Sequence, residues 1–147
     1  MKKQLLILFA FVALLATSAQ AQNSDEWQVR LNKQVLLRSP AETAEPTITL
    51  SKSSVKKNDI LTIQYTTNDG QQDWKRSFTI NDANEQTFKE LSLKNQTGTA
   101  TLKLKELAKA AASNKPLYIY TMSLPKDPNQ AALVRVRRIL LCKIQWK

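Results

Sequence analysis

The 147-residue chain contains no histidine, one cysteine and two glycines. Without histidine it lacks the commonest general base, the usual serine and cysteine catalytic couples and the ligand most zinc sites depend on. A lone cysteine, Cys142, forbids any intrachain disulfide. Two glycines leave no material for a phosphate-cradling loop, and no Gly-x-Ser-x-Gly elbow occurs. Acidic residues are also scarce, 12 against 22 lysines and arginines, giving a formal charge of +10. The longest apolar run, Leu5 to Ala16, falls short of the roughly 20 residues a membrane-spanning helix needs.

That run belongs to a segment with the form of a secretory signal. Lys2 and Lys3 precede it, and Ala19-Gln20-Ala21 offers a small-residue cleavage site. The expectation is a signal peptide over residues 1–21 and a mature chain starting at Gln22. Removing 21 of 147 residues leaves 126, and losing Lys2 and Lys3 takes the charge from +10 to +8. That length suits a single domain, residues 22–147, able to bury a core without disulfides. No cysteine stands directly after the cleavage site, which favours a soluble exported product in the periplasm or medium of a Gram-negative bacterium.

Period-two alternation then dominates. Trp27, Val29 and Leu31 alternate with polar residues, and Asn32-Lys33 is placed to turn the chain into a returning strand over Val35 to Arg38; one continuous bulged strand is the rival reading. Thr47 to Leu50, Ile60 to Thr66, Trp74 to Ile80, Thr87 to Leu93 and Thr99 to Leu104 read as further strands, separated by polar turns that include Asn68-Asp69-Gly70. Between Lys105 and Ala112 the spacing of Leu104, Leu107, Ala108 and Ala111 becomes helical, and Pro116 forbids continuation. Leu117 to Leu124 alternates again. Asp127 as N-cap with Pro128 at the first helical position predicts a single helical turn.

The stretch from Leu133 to Lys147 organises the chain. Val134, Val136, Leu140, Cys142, Ile144 and Trp146 lie on one parity, with Arg135, Arg137, Lys143, Gln145 and Lys147 on the other. A strand of this length calls for a bend or bulge, and the expected place is Arg137-Arg138, because Arg138 is the one charge on the apolar parity. Failing a bulge there, Arg138 must pair with a carboxylate or guard an edge. Cys142 is expected to be buried beside Leu140 and Ile144. Ile139 and Leu141 are apolar on the basic face and require cover, from the short helix or from a second subunit.

These elements predict a mainly β fold, a two-layer antiparallel Greek-key sandwich of eight or nine strands with one short helix. The strand at Thr99 to Leu104, the helix after it, the tyrosine-bearing strand at Leu117 to Leu124 and the final strand resemble the E, F and G region of the immunoglobulin-like sandwich over the last third of the chain. The chain departs from antibody-type members in lacking the cysteine pair. It also resembles, more loosely, small uncharacterised exported bacterial proteins that end in an arginine-rich strand. Neither likeness implies an activity.

The expected role is binding rather than catalysis, in an exported module that joins an envelope protein partner through a patch at Ile139 and Leu141. The alternative is a binder of anionic polysaccharide or lipid headgroups, with Arg135, Arg137, Lys143 and Lys147 as the anion-binding ladder. A hydrolase using the acidic turns, Asp69 with Asp73 or Asp82 with Glu85, ranks third. Nucleic acid is disfavoured because aromatic residues are not interleaved with the basic ones. No cofactor and no metal site is called for. Trp27, Trp74 and Trp146 are read as core or core-rim side chains, with a sugar-stacking platform as the sharper alternative.

Overall fold

The computed structural model describes residues 25–41, 43–68, 72–111 and 114–147. The expected signal peptide (1–21) lies outside the described residues, as do Asp69 and Gly70 of the expected turn. Among the described residues nine strands form two sheets: β1 Glu26–Leu31, β2 Gln34–Arg38, β3 Thr47–Leu50, β4 Ile60–Thr66, β5 Trp74–Asn81, β6 Thr87–Ser92, β7 Gly98–Lys103, β8 Leu117–Pro125 and β9 Ile139–Trp146. One sheet has the order β2-β1-β4-β7 and the other β3-β9-β8-β5-β6. The fold is therefore a mainly β two-layer sandwich, and its buried side chains form one cluster drawn from both sheets. Neighbours are antiparallel except β3 and β9, which run parallel and depart from the all-antiparallel expectation. β3 reaches that position because the chain leaves the first sheet after β2 and lies along the free edge of the second.

Alternation explains most of the strands. On β4, Leu61, Ile63 and Tyr65 are buried between the sheets while Ile60, Gln64 and Thr66 are exposed. The hairpin joining β1 to β2 uses Asn32 in a left-handed conformation, φ 54°. Its side chain settles the position of the turn: Nδ2 donates to Asp59 Oδ1 at 3.0 Å and Oδ1 accepts from Ile60 N at 3.0 Å. The rival of one continuous strand is excluded by the Leu31–Gln34 pairing.

A short helix, α1 (Leu104–Ala110), plugs the lower end of the sandwich. Leu104, Leu107 and Ala111 are buried there, and Glu106 binds Lys89 of β6 at 2.7 Å. Lys52, in a single 3-10 turn after β3, donates its ammonium to the Ala111 carbonyl at the far corner. The second helix, α2 (Pro128–Ala131), begins with Pro128 at its first turn, and the Asp127 carboxylate accepts from Asn129 N at 2.9 Å, as the sequence predicts.

The final strand is shorter than expected and breaks elsewhere. Residues 133–138 are not strand; β9 begins at Ile139. The irregularity lies at Leu141, since Tyr120 faces Leu140 while the adjacent Ile119 faces Cys142. A bulge of one residue exchanges the two faces. Below it Cys142, Ile144 and Trp146 point into the core, and at it Leu141 is also buried, at 0 % exposure. Leu141 is thus covered by the sandwich itself rather than being available to a partner. Cys142 is buried and unpaired.

Candidate anion-binding cleft

The upper end of the sandwich, where β1 and β5 begin and β4 and β8 end, is built differently from the plugged lower end. Its central side chain is Arg76, on the inward parity of β5 with Phe78 and Ile80, and only 3 % exposed. A buried guanidinium must find partners for its donors. Nε donates to the Gln96 carbonyl at 3.1 Å and Nη1 to Thr121 Oγ1 at 3.2 Å. Thr121 passes the bond on to the Ser77 carbonyl at 3.0 Å. The guanidinium lies over the Tyr65 ring, 3.6 Å from its centroid, and Nη2 stands 3.7 Å from Asp25, an ion pair longer than a hydrogen bond.

Asp25 and Tyr65 complete the arrangement. The Tyr65 hydroxyl donates to Asp25 Oδ2 at 2.6 Å. Burial, and then this bond to a carboxylate, push the phenol well above its ordinary range, with Arg76 opposing. Burial pulls the Arg76 guanidinium down from its usual value, while Tyr65 and Asp25 hold it up. The backbone of Arg76 is equally engaged: its N–H donates to the Asn95 carbonyl at 3.2 Å and its carbonyl accepts from Leu93 N at 2.7 Å, fastening the β6–β7 connection.

Above Arg76 a cleft of about 320 Å³ opens, and Arg135, Val136, Arg137 and Ile139 form one wall of it. Asp25, Trp74, Gln96, Met122 and Ser123 contribute to the remainder. Three arginines and a single carboxylate line the same space, so the cleft carries a surplus of positive charge. A larger concavity of about 810 Å³ runs along β2 beside Val35, Leu37, Pro40 and Pro46. Its charged lining residues, Arg38 and Glu45, have opposite signs and give it no such surplus.

The structure divides the ladder expected on the last strand. Arg135 and Arg137 come together at the cleft. Lys143 lies on the outer sheet face, 3.3 Å from Glu45 and 5.8 Å from the Tyr118 ring centroid. Lys147 follows the lower end of β9, on the order of 25 Å along the strand from Ile139 at its upper end. A ladder of four on one face is therefore replaced by a pair at the upper end, because residues 133–138 leave the sheet. Arg138 meets the carboxylate it needs, Glu85 at 3.2 Å, and stacks 4.0 Å from the centroid of the Tyr120 ring.

The interaction patch does not survive as drawn. Ile139 is 39 % exposed, but Leu141 is core. Among the acidic turns, Asp82 accepts from Asn84 N and Gln86 N at 2.8 and 2.9 Å, so it shapes its own turn; Glu85 holds Arg138. Asp69 lies outside the described residues and its expected pairing with Asp73 is not described. Trp146 is buried, and Trp27 and Trp74 are half-buried. Sequence reasoning missed Asp25, Tyr65, Gln96 and Thr121 as companions of Arg76. The available signal was Arg76 itself, a charge on the same parity as Trp74, Phe78 and Ile80.

Compared with protein families, curated proteins and solved structures, the chain matches none.

Proposed function

We propose that this protein is an exported, non-catalytic module that binds an anionic group of the cell envelope, on a lipid headgroup or an acidic polysaccharide, in the cleft at the upper end of its sandwich. The observation that carries this reading is the convergence of Arg135 and Arg137 on the space above the buried Arg76. Arginine forks match phosphate, sulfate and carboxylate geometry, and a pair on one wall can take neighbouring oxygens. Asp25 balances the charge of Arg76, which leaves the two outer arginines for the ligand. The envelope protein-partner reading is weaker, since half of its apolar patch is interior.

The test is binding to dextran sulfate and to phosphatidylglycerol vesicles, with Arg135→Ala combined with Arg137→Ala. Affinity should fall steeply as salt shortens the screening length from about 10 Å to about 3 Å. The double substitution should weaken it at least tenfold. Binding that resists both changes would remove the cleft as the site.

A further inference from the structure

The connection between β8 and β9 carries a feature that simple anion binding does not use. Leu133 is 86 % exposed, far more than Val35, Ile60, Phe88 or Ile139, the other exposed large hydrophobics among the described residues. Its position is held by backbone. Ala131 N donates to the Asp127 carbonyl at 2.9 Å, Ala132 N to the Pro128 carbonyl at 3.1 Å and Leu133 N to the Gln130 carbonyl at 3.0 Å. The capped turn of α2 therefore presents the leucine outward, two and four residues before the arginines of the cleft wall. From Pro128 to Arg138 the chain holds Arg135, Arg137 and Arg138 and no acidic residue.

We propose that this connection docks the protein on an anionic bilayer, with Leu133 entering the boundary between headgroups and acyl chains while Arg135 and Arg137 bind headgroup phosphates. The inference rests on the anion-binding reading of the cleft and names the lipid surface as its ligand. A soluble polyanion offers nothing to an aliphatic side chain, whereas a bilayer places phosphate and hydrocarbon within a few ångströms of each other. The two contributions are both needed. Each arginine near an anionic surface is worth roughly a fivefold gain, and one buried leucine roughly tenfold or more, so neither alone gives stable attachment.

The full chain is tested on phosphatidylcholine vesicles with and without phosphatidylglycerol, and on dextran sulfate in solution. All variants share one N-terminus, so the apolar run at residues 5–16 contributes equally to each. Leu133→Asn should weaken binding to phosphatidylglycerol vesicles about tenfold and leave dextran sulfate binding unchanged. A polarity-sensitive fluorophore on Leu133→Cys, which labels selectively because Cys142 is buried, should shift to the blue on phosphatidylglycerol vesicles and stay unshifted on dextran sulfate. Unchanged vesicle affinity in Leu133→Asn together with an unshifted probe overturns insertion and leaves the anion site standing. Equal binding to phosphatidylcholine alone overturns the headgroup role. Vesicle and dextran sulfate binding both indifferent to Arg135→Ala with Arg137→Ala overturns the anion reading beneath it.

Discussion

The Arg76 guanidinium lies 3.6 Å from the centroid of the Tyr65 ring, so a positive charge sits between the two sheets on the face of an aromatic side chain. Its counter-charge, Asp25, is 37 % exposed at the side chain while Arg76 is 4 %. That asymmetry decides which substitution is harmful. Removing the carboxylate strands a buried cation, whereas removing the cation frees a carboxylate that can turn to water. Asp25→Asn should cost about 1 to 3 kcal/mol in urea unfolding, and Arg76→Met no more than about 1. The reverse order would show that the hydrogen bonds of Arg76 to Gln96 and Thr121, rather than charge burial, dominate at this end.

Leu141 is the extra residue of a bulge and is nevertheless fully buried. Leu141→Ala should lower stability by about 2 to 5 kcal/mol, the range for a core leucine. Leu141→Lys should leave the chain unfolded or nearly so, without passing through a folded, dissociated species. Sedimentation and circular dichroism on the same sample check this. A folded Leu141→Lys protein of altered oligomeric state would place the residue at an interface.

Strands whose two faces differ in polarity were legible: Leu61, Ile63 and Tyr65 alternate with polar residues and are buried as alternation requires. So were elements announced by a single residue with a special backbone role, Asn32 at the hairpin and Asp127 at the cap. The bulge at Leu141 was not, because Ile139-Leu140-Leu141-Cys142 is apolar at every position and carries no parity to betray the switch. Residues 133–138 leave the sheet before β9 begins, and that parts Arg137 from Lys143. The companions of Arg76 come from the residue before β1, from β4, from β8 and from the β6–β7 connection, 20 to 45 positions from it where the hydrogen bonds are concerned. No local pattern specifies such meetings.

At Asn32 the turn makes two separable demands, a left-handed backbone and two side-chain hydrogen bonds to Asp59 and Ile60. Glycine meets the first and alanine neither. Asn32→Ala should therefore be less stable than Asn32→Gly by about 1 kcal/mol. Matching denaturation midpoints for the two variants would mean that the backbone conformation costs nothing here and that the side-chain bonds alone fix the hairpin.

Cys142 and Tyr65 together set the response of the fold to alkaline solution. Burial pushes the Cys142 thiol from 9.0 up to about 12. Between those values the unfolded chain has lost a proton that the folded chain retains, so the stabilisation is complete below about pH 9 and declines as pH rises, by about 1.4 kcal/mol per pH unit. Tyr65, whose phenol is also raised, adds a decline of the same sign from 10.0 upward. Cys142→Ala lacks the first of these limbs. Its urea midpoint should start lower at pH 7, because a core atom is lost, and then stay level to about pH 10, while that of the parent falls from about pH 9. Parallel decline in the two proteins from pH 9 would show that the buried thiol does not set the alkaline limb.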